Sequence, residues 1–120
     1  SIDEITIKSS QNDCADFSSG NYNLKILTLS NCGDKGISIG EKSFVKVEKI
    51  NISESKIGIA SKDSSIFEGK ILNLSNLNTC VAAYKKKQEF NGGFIGINKM
   101  ICKNYINKFE IDSFSIIIEK

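Results

Sequence analysis

Three aspartates and a lysine in the first third of the chain have the types and spacing to do chemistry: Asp13 and Asp16 in NDCAD, and Asp34 with Lys35 in GDKG. Paired carboxylates supply hard oxygen ligands for calcium, or act as acid and base on a glycosidic bond. The commoner use of Asp before a strand is to cap the turn backbone. Little else in the chain is reactive. It contains no His, and all 16 of its basic residues are lysine. Missing His removes the commonest general base and transition-metal ligand, and with it His-based triads, zincins and nucleases. No cofactor is expected, calcium at the corner aspartates being the one option the donors leave open. Gly33, Gly36 and Gly40 do not make a phosphate loop, since no GK[ST] follows them.

These side chains are positioned by a repeat. An apolar-polar-apolar triplet followed by Ser occurs at Leu27–Ser30, Ile50–Ser53 and Leu72–Ser75. The same register takes in Ile5-Thr6-Ile7, Ile95-Gly96-Ile97 and Ile116-Ile117-Ile118, at spacings of 22, 23, 22, 23 and 21 residues. Two-residue alternation marks a strand with one buried face. Each unit holds two further short strands, the second exemplified by Gly36–Gly40 and Lys56–Ala60. The third is anchored by Tyr22, Phe44, Ile66, Phe90 and Ile111, a ladder in phase with the first. In the fifth unit Met100–Cys102 and Tyr105–Ile106 compete for the second strand. No window carries apolar residues at helical spacing. An antiparallel sandwich, the alternative, has no reason to repeat at a fixed interval, whereas a solenoid must. The expectation is an all-β, right-handed parallel β-helix of about five turns, one domain over residues 1–120. Its inward stack comprises Ile5, Ile7, Leu27, Leu29, Ile50, Ile52, Leu72, Leu74, Ile95, Ile97, Ile116 and Ile118.

On this register Asp13 and Asp34 sit at equivalent corners of successive turns, with Asp16 close by. Thr6, Thr28, Asn51, Asn73 and Gly96 line one outward face, flanked by Lys8, Ser30, Ser53, Ser75 and Asn98. Such a strip of small polar groups can hydrogen-bond a sugar chain, or can serve only to keep an exposed sheet soluble. The run opened by Tyr84 and Lys85 can face an acidic glycan, or form a solvated corner. Of the four cysteines, Cys80 and Cys102 are one repeat apart. That spacing permits a disulfide, while a free buried thiol serves equally as a small apolar side chain.

The period, the three-strand turns and the [IL]-x-[IL]-S-[NE] phrases resemble right-handed parallel β-helix repeats of the pectate-lyase-like superfamily, over nearly the whole chain. Asn12–Asp16 is similar to the acidic turn of polygalacturonase-like hydrolases, and Gly33–Gly40 to their GHGISIG segment, with Lys35 in place of the His. The RIK-type basic element of those enzymes has no counterpart here. The resemblance implies polysaccharide or another glycan as partner, through lyase, hydrolase or epimerase activity or an adhesin-type role, and an extracellular or cell-surface location. With no His and no coherent carboxylate set, a non-catalytic module with a structural, adhesin-type or weak carbohydrate-recognition surface is expected. The alternative is a reduced polysaccharide-active enzyme using Asp13, Asp16, Asp34 and Lys35.

A net charge of +2, from 16 basic and 14 acidic residues, gives no electrostatic reason to expect nucleic acid. No apolar run reaches the roughly 20 residues that span a bilayer as a helix. The chain enters its first strand by Ile5 and ends in another, which predicts either excision from a longer β-helix or end-to-end pairing of two copies as a symmetric dimer.

Overall fold

The computed structural model describes residues 2–120. Among them no helix occurs, and eight strands follow in order: β1 (Ile2–Ile7), β2 (Ala15–Ser18), β3 (Asn21–Ser30), β4 (Lys35–Gly40), β5 (Phe44–Lys62), β6 (Ile66–Tyr84), β7 (Phe94–Ile111) and β8 (Ile116–Glu119). All strand pairing is parallel. Ile5 pairs with Leu27, Leu27 with Ile50 and Ile50 with Leu72, so that the apolar triplets lie on one another. This is the first face. The rungs Ala15, Ile37, Ile59, Val81 and Phe109 build a second face, and Tyr22, Val45, Phe67, Ile95 and Ile117 a third. The chain is a parallel β-solenoid of about five turns.

Repeat and core explain each other. Leu27, Leu29, Ile50, Ile52, Leu72 and Leu74 from the first face meet Ile37, Ile39, Ile59 and Val81 from the second, and Val45, Val47, Phe67, Ile95 and Ile97 from the third. Burying one such side chain stabilises the fold by about 1.5–3 kcal/mol, which a single short strand could not gather alone. Gly69 occupies an inward position because Phe67 fills the space beside it: a Cβ there would lie 2.5 Å from Leu72 Cδ1 and 2.9 Å from the Phe67 ring.

Strands of 18 and 19 residues turn corners without ending. Between first and second faces the chain bends at one residue with positive φ, namely Asn31 (56°), Glu54 (61°), Asn76 (59°) and Asn104 (59°). Asn is among the few non-glycine residues that visit this region readily. A one-residue corner hardly interrupts the ladder, so the separate short strands expected from the sequence run on as β5, β6 and β7.

Several sequence expectations need correction. Leu72 pairs with Met100, not Ile95, and Leu74 with Cys102. Ile95 and Ile97 are buried, but on the third face above Phe67 and Gly69. Ile116 and Ile118 point outward, 54% and 48% exposed, and Ile117 packs on the core instead. The third-strand anchors slip by one residue: Tyr22 pairs with Val45 and Val45 with Phe67, which turns Phe44 and Ile66 outward. Phe90 falls outside the strands, and Ile111 is 51% exposed at the end of β7. Met100–Cys102 is the first-face strand of the fifth turn, and its second face is reached at Phe109–Ile111. Among the described residues no cysteine is free: Cys14 bonds Cys32 and Cys80 bonds Cys102.

One cause underlies the shifted register at the end. The segment between β6 and β7, residues 85–93, lengthens the fourth turn, and side chains from the neighbouring turns hold its amides. Asp63 Oδ1 accepts from Lys86 N (2.8 Å) and Lys87 N (2.9 Å), and Asp112 Oδ2 from Lys85 N (2.7 Å). Ser64 Oγ accepts from Asn91 N (2.8 Å) and Ser115 Oγ from Gly93 N (3.0 Å).

Candidate functional site

The corner aspartates lie where the repeat places them. Asp13 precedes the second face of its turn, and its Oδ1 accepts a 3.0 Å hydrogen bond from the backbone amide of Lys35, one turn on. The Lys35 ammonium lies between the two carboxylates, 3.0 Å from Asp34 Oδ2 and 4.0 Å from Asp13 Oδ1. Burial works against the charge on Lys35. The hydrogen bond to Asp34 and the fields of Tyr84, Asp13 and Asp34 outweigh it and hold the lysine above its ordinary pKa. The cation bridging these carboxylates is thus supplied by the chain, where the sequence left calcium as an option. Among the described residues no group of three or more acidic or cysteine side chains has a metal-binding arrangement.

Asp16 lies with Asp13 and Lys35 in an open cleft on the second face, lined also by Ser38, Lys62 and Lys86; Asp34 is not part of it. Its rung continues upward through Ser38, Ala60 and Ala82. Small side chains on that rung leave room for the long ones beside them. Lys62 reaches back one turn to donate a 2.5 Å hydrogen bond to Ser38 Oγ. Burial first, and then repulsion from Lys35, pushes the Lys62 pKa below the ordinary lysine value. Tyr84, on the next turn, is raised mainly by burial. Among the described residues Asp16 forms neither an ion pair nor a side-chain hydrogen bond, so one carboxylate of the sequence-predicted set is unengaged. Hydrolysis of a glycosidic bond takes two.

Lys62 and Ser38 were not singled out from the sequence. The signal was available, since Gly40, Lys62 and Tyr84 stand at one phase of the repeat, but a lysine after Ile59-Ala60-Ser61 reads as a solvated strand end.

The polar strip on the first face is present over its middle turns. Thr28, Asn51 and Asn73 are successive rungs joined by side-chain hydrogen bonds: Asn51 Nδ2 donates to Thr28 Oγ1 (3.4 Å) and Asn73 Nδ2 to Asn51 Oδ1 (3.3 Å). Ser30, Ser53 and Ser75 run parallel to them, and Ile101 and Lys103 close the furrow at the far end. The sequence put Gly96 and Asn98 at that end; the longer fourth turn moves both to the third face. Tyr84 and Lys85 do not join the strip. Tyr84 ends β6 and Lys85 opens the segment after it, where its ammonium sits 4.0 Å above the Phe114 ring. Thr28, Asn51, Asn73 and the serines thus present an array of donors and acceptors suited to sugar hydroxyls. Searches against family models, curated proteins and solved structures found no match to this chain.

Proposed function

We propose that the chain is a non-catalytic β-solenoid module that recognises carbohydrate, with a structural or adhesin-type role, through the polar strip of its first face. One observation carries the reading. The two corner aspartates are committed to Lys35, which holds adjacent turns together, whereas Thr28, Asn51 and Asn73 form an open hydrogen-bonding row that the core does not need. Two disulfides suit an oxidising environment, and with the resemblance to surface β-helices they support an extracellular or cell-surface setting.

A second reading, a reduced polysaccharide-active enzyme, is favoured by the convergence of Asp13, Asp16, Lys35 and Lys62 on one cleft. A glycan array probed with the wild type, the T28A/N51A/N73A variant and the D13N/D16N/D34N variant separates the two. The module reading expects glycan capture that the first variant loses and the second keeps. Turnover of any polysaccharide by the wild type that the aspartate variant loses while still folded would overturn it.

A further inference from the structure

The third face carries a feature that neither the core nor the first-face strip accounts for. Its outward rungs Phe44, Ile66, Phe94 and Ile116 are apolar on four successive turns. Ile66 and Ile116 are 37% and 54% exposed, and both phenylalanines are half-buried. The outward rows of the other faces are not apolar throughout: on the first, Thr28, Asn51 and Asn73 run to Ile101, and Ile26 and Ile71 alternate with Lys49 and Lys99; on the second, Asp16 runs to the buried Ser38 and Ala60. An apolar row on an exposed sheet marks a contact surface. Beside it a furrow runs over Gly96, where the ladder from Lys46 and Glu68 loses its side chain. The Phe94 ring lies along that gap: a Cβ at Gly96 would sit 3.1 Å from Phe94 Cε2. Lys46, Lys70 and Lys120 rim the furrow with Glu68 as its one acidic side chain, and among the described residues none of the three ammonium groups has a carboxylate within 4.0 Å.

We infer that this face binds an extended polyanionic glycan, with sugar rings laid on the Phe44–Ile66–Phe94–Ile116 row and carboxylate or sulfate groups set against Lys46, Lys70 and Lys120. Rungs of a parallel sheet are about 4.8 Å apart, so the row extends about 14 Å and its two aromatic rings are about 10 Å apart. The rung spacing is close to the advance of one sugar in an extended β-linked chain, and the ring spacing to that of a disaccharide. Aromatic rings meet the C–H faces of sugars, and lysines meet the anionic substituents as point charges. A second copy of the chain fits less well, because a two-fold pairing of this face would set lysine against lysine. The inference rests on the carbohydrate reading only for the class of ligand, and uses a different face.

Calorimetric titration at low salt tests it, with three β-linked hexasaccharide probes: a mannuronate hexamer for the carboxylate source, a chondroitin sulfate hexamer for the sulfate source, and uncharged cellohexaose. Binding of either anionic hexamer, with cellohexaose much weaker, is expected. F44A/F94A should lower the affinity about tenfold, and F44Y/F94Y should retain it. K46Q/K70Q should weaken binding and flatten its salt dependence. T28A/N51A/N73A should leave this binding unchanged, so failure of the first-face reading is seen separately. Circular dichroism checks that each variant folds. The inference is overturned if the tyrosine variant binds no better than the alanine one, or if cellohexaose binds as well as the anionic hexamers. It is equally overturned if a DNA hexanucleotide binds more tightly, if F44A/F94A abolishes self-association rather than glycan binding, or if no probe binds.

Discussion

Glu54 occupies a corner that its three counterparts assign to asparagine, and Glu54→Asn should stabilise the protein. At Asn31, Glu54, Asn76 and Asn104 the backbone adopts φ between 56° and 61°. A left-handed conformation costs an ordinary L-residue about 1–2 kcal/mol, and Asn relieves part of this, about 0.5 kcal/mol. The second gain is lateral. Asn104 Nδ2 donates to Asn76 Oδ1 at 2.5 Å across one turn, so the corner geometry lets stacked amides bond. An amide at position 54 stands between Asn31 and Asn76 and adds two such rungs, each about 0.5 kcal/mol at a solvated site. The sum is about 1.5 kcal/mol, and for a domain of this size the melting temperature should rise about 6 °C. Differential scanning fluorimetry or calorimetry of wild type, E54N and E54Q at neutral pH reads it. E54Q removes the charge without restoring the short amide, so it should fall well below E54N. If E54N melts no higher than E54Q, the backbone and the amide ladder are not what asparagine supplies at these corners.

Two other outcomes follow from the chain's covalent and titrating cross-links. Replacing the Cys80–Cys102 pair by C80A/C102A opens a loop of 22 residues and should cost about 3 kcal/mol, read as a lower denaturation midpoint in guanidinium chloride; an unchanged midpoint would contradict this. Burial raises the Asp112 pKa, but hydrogen bonds from Ser115 Oγ and from the amides of Lys85 and Phe114 outweigh it and hold the carboxyl below its ordinary value of 3.8. Its contribution is therefore complete above that value and is lost as pH falls through the lower folded-state pKa. D112N should be about 1 kcal/mol less stable than wild type at pH 7, with the gap closing on acidification. A gap independent of pH would show that the charge is not involved.

How much of this was legible depends on where each residue stands in the coil. Leu27–Ser30, Ile50–Ser53 and Leu72–Ser75 revealed the architecture because each turn must place its triplet over the one below. The same pattern misled at Ile95-Gly96-Ile97. That triplet alternates in the same way but belongs to the third face, and the longer fourth turn, closed by contacts from Asp63 and Asp112, carries no periodic signal of its own. The error at Phe44 was one residue, and on a strand one residue reverses inside and outside. It hid the apolar row of the third face inside an imagined core. Asp13, Asp34 and Lys35 were correctly brought together, since corners stack as faithfully as strands. Their ion pairing was not legible, because it depends on the direction in which a flexible lysine points. Nor was the geometry of either disulfide: Cys102 pairs with Leu74, and Cys80 stands between Thr79 and Val81, which pair with Asn107 and Phe109, so Cys80–Cys102 as well as Cys14–Cys32 joins residues of different phase across a corner rather than up a ladder.

The clipped segment at residues 85–93 has an evolutionary consequence. Leu72 and Met100 remain partners although 28 residues separate them, where 22 separate Ile50 and Leu72. The extra residues leave the coil at a corner, and the stack above closes over them with its parallel ladders intact. Selection can therefore lengthen, replace or diversify this corner while the ladders on either side keep the molecule folded. A solenoid of this kind separates the part that must be conserved for shape from the part free to acquire new specificity, and the same corner is the natural place to graft a foreign peptide for display.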